Sequence, residues 1–231
     1  MLRGEAAEHL GRVLRAAPGQ LYELSDGATV WLARVERVAL TTGDNSSVEF
    51  ELVETIPAQG SKLRLRVLLS VVKFDRFEWC LEKATELGAT EIVPLAAART
   101  DKPLIAAAAK RRERWGKILL ESAQQSRHLR PPVLGAAVRP ADAFKRAEAA
   151  TKILLSERSD AKPIRDVLDA SKGANPRECA LAFGPQGGWT DEEVAAARAG
   201  GFTEASLGDG ILRTETAVIA ALAIVRFALG D

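Results

Sequence analysis

Cysteine is nearly absent: the 231 residues hold two, Cys80 and Cys179, with no CxxC pair and no Cys/His cluster at metal-ligand spacing. That excludes a disulfide framework and a structural zinc site, and a reduced, cytoplasmic protein with no metal is expected. The two histidines, His9 and His128, stand alone, and a lone histidine is more often structural than catalytic. Charge of one sign is not in excess either, with Lys+Arg 32 against Asp+Glu 31. A balance so close to zero gives no chain-wide attraction for a polyanion, so any such grip has to be local. Long hydrophobic runs are missing: the most apolar stretch, residues 217–225, ends at Arg226, well short of the ~20 residues that cross a bilayer. It reads as a buried helix, and no membrane partner is expected. Arg3, Glu5, Glu8 and His9 break up the N-terminus where a signal peptide needs an apolar core, so secretion is not expected.

What is present is a globular composition, 47% hydrophobic and 27% charged, in a length that suits two unequal domains. The first third reads as β structure. Runs at 20–24, 28–38, 47–56 and 63–72 are rich in Val, Leu, Trp and Phe, and turn signals at Pro18-Gly19, Asp26-Gly27, Gly43-Asp44-Asn45 and Gln59-Gly60-Ser61 separate them. Four such strands predict a small β-barrel over residues 1–68.

From residue 69 strands alternate with helices, the pattern of an α/β domain with a parallel sheet, here over 69–231. Residues 75–87 place Phe77, Cys80, Leu81, Ala84 and Leu87 at helical spacing, with Asp75 and Glu78 as a capping pair and Gly88 as the stop. A strand is expected at 91–95, then helices at 103–126 and 141–149. Strands at 151–156, 178–183 and 203–207 each lead into a loop and a helix. Ligands of open parallel sheets gather at the carboxyl ends of strands, so these three loops are the place to look for a site.

Two loops carry distinctive chemistry. In Phe183-Gly184-Pro185-Gln186-Gly187-Gly188-Trp189 three glycines in five residues let a backbone approach a ligand, and Thr190 with Glu193 forms a capping box for the next helix. No Lys-Ser or Lys-Thr follows and the GxGxxG spacing is absent, so neither a nucleotide P-loop nor a dinucleotide fingerprint is present. On spacing alone an ordinary tight strand-to-helix loop explains it equally well. The second is Leu207-Gly208-Asp209-Gly210-Ile211-Leu212-Arg213-Thr214-Glu215-Thr216-Ala217, where Arg213 and Glu215 begin an otherwise apolar helix. Charges at a buried helix start must be paired or used, and a structural Arg213–Glu215 pair is the simpler reading.

Taken together these segments resemble the ribosomal RNA uridine-N3 methyltransferases of the SPOUT superfamily. The family's GPEGG loop corresponds to Gly184–Gly188, its LG…ILRTETA signature to Leu207-Gly208 and residues 211–217, and its KATELG segment to residues 83–88. Residues 121–128 resemble its E-A-x-E-Q-S-x-R segment, and His9 to Arg15 with Pro18-Gly19 resembles its opening. The resemblance runs from His9 nearly to the end.

It implies a PUA-like barrel followed by a methyltransferase domain with a deep C-terminal trefoil knot. It further implies a homodimer that binds S-adenosylmethionine (SAM) and acts on 16S ribosomal RNA of the small subunit. Carried over by position, the cofactor loops are Leu155, Ser156 and Glu157; Gly184, Pro185, Gln186, Gly187 and Gly188; and Leu207, Gly208, Ile211 and Leu212 with Thr216. Methylating uracil at N3 requires loss of the imide proton, so the site has to stabilise an anionic base; Arg213, always charged, is the candidate. Glu215 would orient Arg213, help remove the proton, or cap the helix. Arg12 and Arg15 in the barrel, with Gln125 and Arg127, are the candidates for gripping RNA.

This chain departs from the family pattern at Gln186, where the family carries Glu, leaving an orienting amide in place of a carboxylate. It also has Gln124 for a Glu and His128 for an Arg, with Arg127 one position early, and the segment before His9 is short. Two alternatives stay open: a knotted methyltransferase for another RNA, and a non-catalytic RNA-binding assembly factor.

Overall fold

The computed structural model describes residues 1–41, 45–57, 63–171 and 177–230. The expected turn positions 43–44 and 59–61, and Lys62, lie outside the described residues. The chain forms two compact units, Met1–Gly60 and Ser61–Asp231.

In the first unit a short strand β1 (Leu2–Arg3) leads into helix α1 (Gly4–Glu8), which continues as one π-helical turn over His9–Val13. Strands β2 (Leu21–Ser25), β3 (Val30–Ala39) and β4 (Ser47–Ile56) follow, and the antiparallel order β1-β4-β3-β2 makes a curled half-barrel. Asp26 sets the β2–β3 turn: its carboxylate accepts from the amides of Ala28 and Thr29, both at 2.8 Å, while Gly27 supplies φ +83°. Alternation along β3 and β4 buries Val35 and Val48 against Ala7, Leu10 and Ala16.

The fourth expected barrel strand is not part of this sheet. It is β5 (Arg64–Ser70), which pairs in parallel with two strands of the second unit. The reason is visible in its composition: Leu65, Val67, Leu68 and Leu69 are all buried, and a strand covered on both faces belongs inside a parallel sheet.

After β5 come α2 (Phe74–Glu86), β6 (Ala89–Leu95), α3 (Lys102–Gln125), β7 (Val133–Leu134), α4 (Pro140–Arg146) and β8 (Thr151–Leu155). Then follow β9 (Lys162–Pro163), α5 (Ile164–Ser171), β10 (Glu178–Phe183), α6 (Asp191–Ala199), β11 (Thr203–Ser206) and α7 (Thr214–Leu229). The seven strands run in the order β7-β6-β5-β10-β8-β11-β9, all parallel. β8 thus lies between β10 and β11, the two long strands made after it.

Side-chain alternation divides the core. Cys179, Leu181 and Phe183 of β10 pack with Leu65, Val67 and Leu69 under α2, α3, α5 and α7. Ala180 and Ala182 face α4 and α6, where small side chains let Phe144, Trp189 and Phe202 approach the sheet. The Thr190–Glu193 capping box forms as expected. The Asp75–Glu78 pair does not cap α2, because Glu78 instead bonds Arg111 and Arg114 of α3. Helix α7 is buried on one side only: Val218, Ala221, Leu222 and Val225 are covered, while Ile224 and Phe227 are exposed.

Candidate functional site

A cavity of about 580 Å³ opens at the carboxyl ends of β5, β8, β10 and β11, the place where crossover loops diverge in such sheets. Its apolar wall is Val72, Leu155, Phe183, Leu207, Ile211 and Leu212, and its polar edge includes Ser156, Glu157, Gln186, Arg213 and Glu215. Of the cofactor positions expected from the sequence, all but Gly187 and Thr216 line this cavity.

The glycine loop after β10 is held at both ends. The Gly188 amide donates to the Pro185 carbonyl at 2.8 Å, closing a turn that needs φ +71° at Gly188. Trp189 folds beneath, donating its indole N–H to the Leu155 carbonyl at 2.9 Å, so the loops after β8 and β10 share one floor. A side chain at Gly184 would meet that indole at 3.2 Å. At Gly187 added bulk would meet Arg99 at 3.3 Å, so the close approach expected there is to a neighbouring side chain.

The loop after β11 is open. Gly208 sits at φ +129°, with nothing within 4 Å of the place a Cβ would take. Among the described residues the amides of Gly208 through Leu212 make no backbone hydrogen bond. A row of free donors beside apolar walls suits a ligand read through main-chain contacts.

The charged residues are arranged differently from the expected Arg213–Glu215 pair. Arg213 precedes the first residue of α7 and is exposed. Glu215 turns instead to Arg76 in the first turn of α2, at 3.7 Å, its side chain 13% exposed. Below it the Cys80 thiol is pushed up to about 12 by burial and by Glu215, and Cys179 likewise by burial, so neither is a nucleophile at neutral pH. Arg158 bonds Asp191 at 2.6 Å and holds that carboxyl below its ordinary value.

The cavity's arginines Arg76, Arg99 and Arg158 were not singled out from the sequence. Arg76 and Arg99 stand just beyond β5 and β6, so the rule that ligands gather at carboxyl ends covers them once those strands are placed in the sheet.

None of the four expected RNA contacts is among the residues lining the cavity. Arg12 and Arg15 are in the first unit, where Arg12 pairs with Glu8 at 3.4 Å. Gln125 ends α3 and Arg127 follows it, beside His128, whose ring nitrogen meets the Glu86 carbonyl at 3.1 Å. The 24-residue α3 is about 36 Å long, which carries these two away from the cavity of their own chain. Arg15 and Arg127 are also the non-glycine residues with positive φ among the described residues, at 53° and 58°.

Among the described residues no group of His, Cys, Asp and Glu could hold a metal, and no helix is long and apolar enough to cross a membrane. The cavity does fit SAM. Its volume lies within the roughly 300–1,000 Å³ of small-ligand sites. Its free amides and apolar walls suit an adenine, and its carboxylates and guanidiniums suit a ligand carrying both charges.

Comparison with known proteins agrees with this geometry. Residues 59–226 match the model of the RNA methyltransferase domain family. The chain is 36% identical over 220 residues to ribosomal RNA small subunit methyltransferase E of Synechocystis sp., covering 93% of this chain and 68% of that protein. The Neisseria gonorrhoeae ribosomal RNA small subunit methyltransferase E, solved bound to S-adenosyl methionine, superposes with a TM-score of 0.84 at 29% identity, covering 100% of this chain and 92% of that one. A Legionella pneumophila protein solved with bound SAM gives 0.83 at 30% identity, with coverage of 100% and 92%.

Proposed function

The chain belongs to the RNA methyltransferase family and within it to the ribosomal RNA small subunit methyltransferase E group, and from that premise we propose that it methylates N3 of a uridine in 16S ribosomal RNA. It is a SAM-dependent enzyme acting on ribosomal RNA. The observation that carries the proposal is the cavity itself, where glycine loops with free amides stand beside an exposed guanidinium, Arg213.

In this reading Leu155, Ser156 and Glu157, the loop from Gly184 to Gly188, and Leu207, Gly208, Ile211 and Leu212 hold SAM. Gly187 acts through the loop backbone, and Thr216 contributes from the exposed side of the first turn of α7. The bound cofactor supplies an electrophilic methyl group. The chain's own residues prepare the acceptor. Arg213, which has no carboxylate partner among the described residues, stabilises the charge that spreads onto the uracil oxygens as N3 loses its proton. Glu215, held at the cavity wall by Arg76, is placed to receive that proton. Gln186 keeps an amide that can orient the base without competing for the proton.

Arg12, Arg15, Gln125 and Arg127 contact RNA around the target. Gln125 and Arg127 lie far along α3 from their own cavity, which supports a homodimer in which they serve a second copy's site. The exposed apolar Ile224 and Phe227 on α7, with Phe227 94% exposed, offer a face for it. β8 enclosed by two later strands supports the knotted arrangement of the C-terminal region, and the half-barrel a PUA-like role. Action on ribosomal RNA supports a cytoplasmic location.

The test is transfer of a labelled methyl group from SAM to under-modified small subunits and to naked RNA, followed by nucleoside identification. The expected product is 3-methyluridine. Another methylated nucleoside would overturn the target, and cofactor binding without transfer would favour the assembly-factor reading.

A further inference from the structure

We propose that Arg99 grips a phosphate of the RNA backbone beside the target nucleotide, an inference that rests on the reading that RNA is the methyl acceptor at this cavity. Four arginines line the cavity, and two of them are neutralised: Arg76 by Glu215 at 3.7 Å, and Arg158 by Asp191 at 2.6 Å and Asp160 at 3.7 Å. Among the described residues Arg99 and Arg213 make no ion pair. They bracket the glycine loop. Thr214, next to Arg213, reaches the Gly184 carbonyl at 3.4 Å, and Arg99 donates from Nη1 to the Gly187 carbonyl at 2.7 Å. Three residues of chain separate those carbonyls, a span of at most roughly 10 Å.

Arg99 is also held in place. The amide before it, of Ala98, is bound by the buried Glu193 carboxylate at 2.8 Å, and the amide after it, of Thr100, by the Ala97 carbonyl at 3.0 Å. Glu193 at the same time accepts from the Thr190 amide at 3.0 Å, so the β6–α3 loop is tied to the start of α6. One of the five guanidinium donors is spent on Gly187, leaving a fixed, exposed cation that makes no ion pair among the described residues, although its field reaches the Asp191 carboxylate already bound by Arg158. A residue whose only task is to brace the loop needs a donor but no free charge. A polyanion with a phosphate at every nucleotide needs that charge, in a preorganised place, where a guanidinium binds it in two-point fashion.

The experiment compares wild type, Arg99→Gln and Arg99→Lys with SAM saturating and small-subunit RNA varied, at several salt concentrations, alongside calorimetry of SAM alone. Arg99→Gln is expected to raise the RNA KM about tenfold. It should also flatten the dependence of log KM on log salt by about 0.7, the loss of one phosphate contact on a single strand. Arg99→Lys should restore most of both, and the SAM Kd should stay within about twofold, since the cofactor's own carboxylate is not the anion held. Weakened SAM binding with an unchanged salt slope would overturn the assignment and make Arg99 a contact or brace for the cofactor. Transfer with unaltered RNA KM in Arg99→Gln would also sink it. A wild-type protein that transfers no methyl group at all would instead sink the functional reading beneath it.

Discussion

The two ends of the parallel sheet use the same residue types to opposite effect. At the amino ends, Arg64 pairs with Glu178 at 3.7 Å and Arg66 with Glu91 at 2.6 Å, around a groove of about 320 Å³. Every guanidinium lining that groove has its carboxylate. At the carboxyl ends, among the described residues, the cavity keeps two arginines outside any ion pair and a run of amides without backbone partners. A hollow lined by arginine and glutamate is therefore not itself a functional sign. What separates the two is unspent valence: charge without a counter-charge and donors without acceptors, both of which a folded chain retains only at a cost.

Removing the unspent charge should have the largest effect. Arg213→Ala is expected to lower methyl transfer about 10³-fold with little change in Tm, since an exposed side chain is lost and no core volume; single-turnover kinetics beside a thermal melt check this. Next comes the open loop. Gly208→Val forces a branched side chain into φ +129°, at a strain of about 1–3 kcal/mol, and SAM affinity by calorimetry should fall about fivefold to a hundredfold, the factor that strain corresponds to when binding requires the present loop conformation. Unchanged affinity would remove the loop after β11 from the site.

Smaller effects sharpen the contrast on the helices. Burial alone would raise the Glu78 carboxyl, but hydrogen bonds from Arg114 and Arg111 outweigh it and leave it below its ordinary value. Its stabilisation is thus present at neutral pH and lost as pH falls through the depressed value in the folded protein. Glu78→Gln should cost about 1 kcal/mol near pH 7 and nothing in strong acid, measured by urea unfolding across pH. The smallest change is Arg127→Gly. A non-glycine residue at φ 58° costs about 1–2 kcal/mol, of which the looser unfolded state of glycine takes back part. The variant should gain about 0.5 kcal/mol while its affinity for RNA falls, an outcome that would mark Arg127 as kept for binding at the expense of stability.

Local grammar made the carboxyl end partly legible. The glycines at 184, 187 and 188, the capping box at Thr190 and Glu193, and the glycine at 208 announced a loop chemistry that the fold places around one cavity. Pairing between distant segments was not legible. Period-two alternation says which side of a strand is buried but not which strand lies next to it, so β5 read as part of the barrel until its pairing with β6 and β10 was known. For the same reason Glu215 read as a partner of Arg213, two residues away, when its actual partner is Arg76, from a helix 139 residues earlier. Arg99 carried no local signal because its role depends on Gly187, which only the crossover from β6 brings within reach.

The most direct measurement is backbone hydrogen exchange of the whole protein with and without saturating SAM. Protection should appear at residues 155–157, 184–188 and 207–212, strongest at the amides of Gly208 to Leu212, with no change around Arg64, Arg66 and Glu178. Protection at the amino ends of the strands, or no protection in the two glycine loops, would contradict the assignment of the carboxyl-end cavity as the site of methyl transfer.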